Sequence, residues 1–427
     1  MNKKILHVSS STVGGAGKAA LRLHLALLNH GVDSSFLALN SQVQKRDQIC
    51  VFDGDVAEQL KAPENVTLTL KNYLKERFFK EFEKKLRHFK NQKDNIEAIK
   101  NQIFEDEKNH KFELFSSPFS DYDITSSSAY ENADIIHLHW VAGFLDYPSF
   151  FKKNKKPIIW TLHDENPYRG GFHYFGDESR NSISYGDRDD EFKKLKFNSI
   201  SQQKILSIVS PSVWLAEAAK KSDVFKSRKI KTIYNTLDTS IYKPIDKLFA
   251  RQFWGIPEDA TVFMFASQYV ENKRKGFDLL WPIIEKSNFE NVFYLIVGTN
   301  LDLVNVENVI YTGSISEDRL MALTYSAADY FILPSREDNL PNTMVEALCC
   351  GTPVIGFDIG DNKLLIANNN LGIICEEIST DALSKSLSQA IDTKGRLSSI
   401  EISIKAHSLF NSNHIVELYI EEYKILI

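Results

Sequence analysis

The densest chemistry lies in Leu333-Pro-Ser-Arg-Glu-Asp-Asn-Leu-Pro-Asn-Thr-Met-Val-Glu-Ala-Leu-Cys-Cys-Gly-Thr-Pro-Val-Ile-Gly356. An apolar strand ends at Pro334 and a polar loop follows. A short helix is expected from near Thr343, and Gly351 stops it before the next strand. Asp338 then lies in the loop and Glu346 one turn into the helix. Two acceptors flank the free N–H groups of a helix start, which attract anions. Carboxylates for hydroxyls beside amides for phosphate is the recognition chemistry of a nucleotide sugar. Each acid also has a plainer reading. Thr343-x-x-Glu346 has the spacing of a capping box, and a lone Asp338 would be an ordinary turn residue.

A second anion-directed element is Gly14-Gly15-Ala16-Gly17-Lys18-Ala19-Ala20, after strand Ile5–Ser9 and opening a helix to about His30. A P-loop is excluded, because Thr12 stands at its first glycine and Ala19 offers no hydroxyl for Mg²⁺. Gly15-x-Gly17-x-x-Ala20 fits a dinucleotide fingerprint. The second strand, however, ends Leu37-Ala-Leu39-Asn40 without the acid that would hold a ribose. Beside this weakened dinucleotide reading stand two others: glycines for a tight turn and close helix packing, or a loop meeting a phosphorylated or sugar-bearing ligand in an interdomain cleft.

Other constellations are weaker. His163 follows an apolar strand just before Asp164, at the carboxyl end where ligands of open α/β sheets bind. Asp53-Gly-Asp55, Asp121-Tyr-Asp123 and Asp187-Arg-Asp189 have the spacing of metal-binding acid pairs, the first and third in loops without a clear neighbouring strand. They read as solvated turn carboxylates. Cys50, Cys349, Cys350 and Cys375 show no metal-ligand spacing and fit a reducing compartment.

The elements that position these residues alternate. Strand candidates are Ile5–Ser9, Ser35–Leu39, Asp134–His139, Pro157–Leu162, Ser207–Ser210 and Lys231–Tyr234, then Val262–Ala266, Phe293–Val297, Val309–Tyr311, Tyr330–Leu333, Val354–Phe357 and Gly372–Cys375. Helical patterns separate them, which predicts two doubly wound α/β domains with a break between Tyr234 and Pro257. Phe410–Ile427 has helical spacing and is expected to pack back across the junction. Lys71–Lys100 breaks the alternation, with ten Lys/Arg against five Asp/Glu and a Phe-rich stripe. It reads as a helix covering a sheet, or as a basic amphipathic segment for an anionic lipid surface. The chain has 427 residues, 43% hydrophobic and 25% charged, with a net charge of −5. That composition excludes a disordered or collagenous chain and argues against bulk nucleic-acid binding. No apolar stretch approaches a membrane span, and the first residues read as a strand rather than a signal peptide.

Asp338-x7-Glu346 followed by Ala-Leu-x-x-Gly-Thr-Pro-Val resembles the E-x7-E element of retaining GT-B glycosyltransferases, glycosyltransferase family 4. The nearest subgroup acts in colanic-acid, capsule and O-antigen assembly. The resemblance extends through Asp134-Ile-Ile-His-Leu-His-Trp140, Trp160-Thr-Leu-His-Asp164, Gly170-Gly-Phe-His-Tyr174, Pro211–Ala219, Tyr234-Asn-Thr-Leu-Asp238, Lys273-Arg-Lys-Gly-Phe-Asp-Leu-Leu280 and Ser335–Asn342. It leaves only the basic segment near Lys71–Lys111 without a counterpart.

The resemblance implies a GT-B architecture: a Rossmann-like acceptor-side domain over 1–240, with a helical basic insertion near 60–115, facing a nucleotide-sugar domain over 241–408 across a cleft. Residues 409–427 form the helix that crosses back. It implies His163, Lys275 and Asp338 as catalytic residues. Gly14, Gly15, Arg274, Lys275, Asn339, Leu340, Asn342 and Glu346 would bind the donor, with Glu346 on its ribose, and Lys18 and His139 would meet the acceptor. Asp338 is one methylene shorter than the family's Glu and has Glu337 beside it, so either acid is a candidate for the donor sugar. The family's diphosphate-clamping Arg falls near Gln268-Tyr269; Lys273 or Arg274 is its candidate substitute. No metal and no cofactor are expected, the nucleotide-diphosphate sugar being a substrate. The implied activity is a cytoplasmic hexosyl transfer, with retention, to a glycan or lipid-linked saccharide at the inner membrane face, where the basic segment would add peripheral contact with anionic lipid. A degenerate sugar-nucleotide-binding partner subunit and a nucleotide-sugar epimerase on the same fold are the alternatives.

Overall fold

The computed structural model describes residues 3–41, 48–55, 95–109, 112–286, 289–299, 306–395 and 397–427. The basic segment expected over Lys71–Lys100 lies outside the described residues except for its end. Residues 95–108 are helical, with Ile96 and Ile103 buried.

Two parallel sheets form the frame. The first holds β1 (Ile5–Ser11), β2 (Ser34–Asn40), β3 (Ile49–Val51), β4 (Ile135–Leu138), β5 (Ile158–Thr161), β6 (Leu206–Ser210) and β7 (Ile230–Thr232), in the order β3-β2-β1-β4-β5-β6-β7. The second holds β8 (Thr261–Tyr269), β9 (Val292–Thr299), β10 (Val309–Gly313), β11 (Tyr330–Leu333), β12 (Val354–Phe357) and β13 (Gly372–Cys375), in the order β10-β9-β8-β11-β12-β13. Every pairing is parallel. The central strands are therefore apolar on both faces. Leu6 and Val8 pack on one side of the first sheet, and Ile5, Ile135 and Ile159 on the other. Such continuous burial is the mark of strands covered by helices on both faces.

All twelve strand candidates appear. The three-residue edge strand β3 was missed, being too short to carry a pattern. The loop expected around Asp187-Arg-Asp189 is instead part of the 26-residue helix Phe175–Ile200. Its glycines, serines and aspartates suppress propensity, and packing of Tyr185, Phe192 and Ile200 overrides them. Asp187 and Asp189 thus lie within a helix, not in a loop. Buried Asp189 accepts the amides of Gly171 (2.7 Å), Phe172 (3.3 Å) and Gly170 (3.4 Å).

The last helix, Ser412–Ile425, joins the first sheet rather than the second. Ile415, Val416, Tyr419, Tyr423 and Leu426 are buried with Ile5, Leu23, Leu27, Ile135 and Val209. Burying each such side chain contributes about 1.5–3 kcal/mol. The tyrosine hydroxyls satisfy buried polar groups beneath: Tyr423 lies 2.7 Å from His137 Nδ1, and Tyr419 3.0 Å from Thr161 Oγ1. This return crossing keeps the carboxyl ends of the two sheets opposed, which is where the candidate residues lie.

Candidate active site

The loop after β11 carries its acids in opposite directions. Asp338 Oδ2 accepts Lys275 Nζ at 2.5 Å and Ser335 Oγ at 3.3 Å, and Arg274 Nη1 stands 3.7 Å from Oδ1. Burial pushes the Asp338 carboxyl up, but Lys275 and Arg274 outweigh it and hold the group below the usual carboxylate range. Glu337 points away, into the first domain, where it accepts the amides of Phe175 (2.7 Å) and Gly176 (3.0 Å) at the start of helix Phe175–Ile200. Its carboxyl is raised by burial. Of the two adjacent acids, Asp338 therefore faces the cations and Glu337 caps a helix across the cleft.

Arg274 is the centre of the cation cluster. Its guanidinium forks onto Glu113, Nε to Oε2 at 2.8 Å and Nη2 to Oε1 at 3.0 Å, while Nη1 donates to the Glu337 carbonyl at 3.0 Å. The Tyr174 ring lies beneath, 4.1 Å from the guanidinium carbon. Asn272 also donates to Glu113, at 2.9 Å. The 3₁₀ turn Lys273–Lys275 and the left-handed Gly276 that ends it aim Arg274 and Lys275 to the same place.

Glu346 corrects the capping-box reading. Helix Asn342–Cys349 starts from Pro341 with no side-chain cap, and Thr343 lies within it. Glu346, 5% exposed, instead accepts Arg22 Nη1 at 2.8 Å and the Tyr325 hydroxyl at 2.9 Å. Arg22 also donates to the Tyr242 hydroxyl at 3.0 Å, which donates to Asp318 at 2.9 Å. A buried carboxylate requires a cation, and Glu346 finds one on the opposite domain.

The first domain supplies the facing wall. Gly14 opens helix Gly14–Asn29 itself, with no loop between them. Gly15 O accepts Asn342 Nδ2 at 2.8 Å. A Cβ on Gly17 would lie 2.5 Å from the Ser11 carbonyl, so this glycine serves close helix–strand packing. Lys18 is half-buried in the first turn of that helix. Asn339 donates to the His163 carbonyl at 3.2 Å and receives Ser212 Oγ at 2.5 Å. Leu340 is buried in the second domain's core, so its side chain packs there rather than offering itself to a ligand.

Beneath the wall runs a column of imidazoles. His163 Nε2 lies 3.1 Å from His139 Nδ1, and His139 Nε2 lies 2.9 Å from His7 Nδ1. Burial drives all three downward, His163 to about 4, so the column is neutral near pH 7. Among the described residues, His7, His137 and His139 are the one group whose three ligand-type atoms come within 4.8 Å. Their nitrogens are spent on one another, His163, Tyr423 and Thr161, except His7 Nε2, which has no partner. Two small cavities touch His139 and His163, each about 10 Å³, room for about one water.

The structure thus brings His163, His139, Lys275, Arg274, Asp338, Asn339, Asn342, Gly14, Gly15 and Glu346 to one closed interdomain seam. Sequence reasoning missed Glu113, which lies at the border of the segment lacking any counterpart, and Tyr174. It also missed Arg22, for which a signal existed: Gly15, Lys18 and Arg22 share one helix face. The chemical capacity is a largely buried cluster of cations, each held by a carboxylate that a phosphate oxyanion would replace.

Residues 260–393 match the family Glycosyl transferases group 1. The chain is 23% identical to N-acetyl-alpha-D-glucosaminyl L-malate synthase of Bacillus anthracis, over 62% of this chain and 68% of that protein. It is 24% identical to an uncharacterized 41.2 kDa protein in the cps region of Klebsiella pneumoniae, over 59% of this chain and 67% of the relative. Its backbone superposes on Anabaena HepE, solved with UDP and glucose, with a TM-score of 0.63 at 14% identity, covering 99% of this chain and 100% of HepE. The two Rossmann-like domains therefore make a GT-B-like fold, and over residues 260–393 the second domain is similar to the group 1 glycosyl transferases.

Proposed function

We propose that this protein transfers a hexosyl group from a nucleotide-diphosphate sugar to a saccharide acceptor, with retention and without a metal, as a member of glycosyltransferase family 4. The observation that carries the reading is the pair Arg274 and Lys275. Both lie at the seam, with Glu113 and Asp338 as their carboxylate partners. As the anomeric C–O bond breaks, negative charge grows on the departing pyrophosphate. Two pre-oriented cations and the amide end of helix Asn342–Cys349 stabilise it without reorganising. Glu346 would take the ribose hydroxyls once Arg22 lets go, and Asp338 the donor-sugar hydroxyls once Lys275 turns to phosphate. His163 and Asn339 would border the sugar, with Lys18 and His139 toward the acceptor.

The two cavities beside His139 and His163, about 10 Å³ each, are too small for a sugar, so a sugar bound against these histidines requires the seam to open there. A relative in a cps region supports surface-polysaccharide assembly, and UDP in HepE puts uridine nucleotides first among donors. A lipid-linked acceptor at the inner membrane face, approached through the basic segment 71–100, completes the proposal. Equal recovery of the full chain with neutral and anionic liposomes would remove that last element.

The test is a thermal-shift panel of UDP-, GDP-, ADP- and dTDP-sugars, where selective binding raises the melting point by mass action. Lys275→Ala should lower turnover of the selected donor about a hundredfold, since one such donor is worth about 2.7–4 kcal/mol of barrier. Full activity in a strong chelator is required. Loss of activity there refutes the metal-free mechanism.

A further inference from the structure

Helix Phe175–Ile200 carries a buried lysine that the transfer chemistry does not use. Lys196 is 1% exposed. Its amine donates to the main-chain oxygen of Asn166 at 2.7 Å and to the same residue's Oδ1 at 3.0 Å. The Tyr147 ring lies on another side, 5.1 Å from the amine. Burial pushes the amine down to about 7, against the pull of Asp189 and Asp164. Even without its charge it keeps two N–H groups, one for each oxygen of Asn166. Donation of hydrogen bonds, rather than charge, is what this lysine offers its neighbours.

Residues 163–173 contain no helix or strand, so side chains must hold their backbone in place. With Lys196 on its oxygen, the Asn166 side chain turns Nδ2 to the carbonyls of Gly171 (2.9 Å) and Phe172 (3.4 Å). The Asn166 amide donates to Asp164 Oδ1 at 3.0 Å. Asp164 Oδ2 meets His173 Nδ1 at 2.6 Å and accepts Trp140 Nε1 at 2.8 Å, and His173 Nε2 lies 2.8 Å from Ser116 Oγ. Asp164 directly follows His163, whose carbonyl accepts Asn339 from the second domain. Asp189, two turns before Lys196 on the same buried face of the helix, accepts the amides of Gly170, Gly171 and Phe172. One helix face thus grips the segment twice, giving donors to its oxygens and an acceptor to its amides.

We propose that Lys196 is a positioning residue for the transfer: through Asn166 and Asp164 it fixes where His163 stands at the seam. This role rests on the transferase reading above. Burying a lone amine is costly, so an apolar side chain of similar length would serve packing at least as well. What such a side chain cannot supply is the pair of N–H groups that sets the Asn166 amide. Without them Asn166 is no longer held to the helix, and the turn ahead of Asp164 loosens. Asn166 and Asp164 line the same cavity as His163, so the loosening reaches the residue that would border the sugar. Lys196 itself touches no reacting atom and passes no proton, so it leaves the stereochemical course of the transfer unchanged.

Two readouts on the full chain test this. Hydrogen–deuterium exchange follows the segment, and nucleotide release follows the transfer. The donor is whichever of UDP-, GDP-, ADP- or dTDP-glucose raises the wild-type melting point most, with water and methyl glycosides of glucose, galactose and mannose as acceptors. Lys196→Met should speed amide exchange over residues 164–173 about tenfold or more and leave the second sheet unchanged. Its kcat should fall about tenfold to a hundredfold, as for a misplacement approaching 1 Å, while the nucleotide-sugar Kd stays within about twofold. Exposed Lys194→Met, on the same helix, should match wild type in both. Asn166→Ala should lower kcat as well, and the double variant should lose no more than the deeper single one, since both act through one turn. Unchanged exchange in Lys196→Met, a kcat within about twofold of wild type, or losses that multiply in the double variant each overturn the inference. If Lys196→Met does not fold, exchange and kcat in Asn166→Ala decide in the same way. A wild type that binds none of the four nucleotide sugars, or releases nucleotide to no acceptor, sinks the transferase reading and the role in transfer with it. Exchange in Lys196→Met then still shows whether the lysine holds the segment, so the two failures are told apart.

Discussion

Gly276→Ala isolates how tightly the cation cluster is tied to the loop that bears Asp338. Gly276 has φ +76°, and a Cβ there would lie 1.8 Å from the Pro334 carbonyl oxygen and 2.7 Å from its carbon. Gly255, the cap of helix Lys247–Trp254, has nearly the same φ, +68°, with nothing within 4 Å of the added carbon. Both alanines bear the left-handed strain of about 1–2 kcal/mol. Only Gly276→Ala must also push neighbouring backbones away from each other by about 1.2 Å, from 1.8 to at least 3.0 Å. Overpacking of that kind adds about 1–3 kcal/mol. At about 2–4 °C per kcal/mol, Gly255→Ala should melt roughly 2–8 °C below wild type, and Gly276→Ala should fall further by about the same amount again. Moving Lys275 by about 1 Å should also cost about a hundredfold in turnover. Calorimetry of the two variants and the nucleotide-sugar shift of each provide the measurements. Coincident melting with a full nucleotide-sugar shift in Gly276→Ala would refute the claim that this contact sets the cluster.

Acid should destabilise the protein in a distinct window. Burial depresses His7, His137 and His139 well below 6.5, and His163 to about 4. Below pH 6.5 the unfolded chain takes up protons that the folded chain refuses, so stability falls as pH falls, with a limiting slope of about 5 kcal/mol per unit for four imidazoles. Melting temperatures flat from pH 7 to 5 contradict that. Glu113→Gln removes the carboxylate that competes for the Arg274 fork, so UDP should bind about tenfold more tightly by calorimetric titration, in line with a charge-assisted pair of about 1.5–3 kcal/mol. Weaker binding would make Glu113 a positioner rather than a competitor. Tyr423→Phe strips His137 Nδ1 of its buried partner and should cost about 1–3 kcal/mol in chemical denaturation, with an unchanged slope.

The alternation of short Val/Ile-rich runs with helical spacing is a local pattern, and it carried both sheets. It failed where local pattern was absent: at β3, three residues on an edge, and over Phe175–Ile200, whose polar sequence is helical because Tyr185 and Phe192 find an aromatic cluster with Phe112, Phe115 and Phe172. The same limit governed the site. The order Lys275, Asp338, Glu346 was legible because these residues flank glycines and strand ends. Their partners were not, because Glu113 lies 161 residues from Arg274 and His173 lies 57 from Ser116.

Residue order alone therefore determined the two-sheet α/β framework, the strand ends that carry the site, and the cations and acids offered there. Tertiary structure decided which charge answers which. Glu346 turned from a helix cap to Arg22, Glu337 from the donor side to a helix across the cleft, and an aspartate, a histidine and a serine came into line. The physical reason is that a buried charge or imidazole must be paired, and its partner is chosen by where two domains close, a choice written in no single stretch of chain.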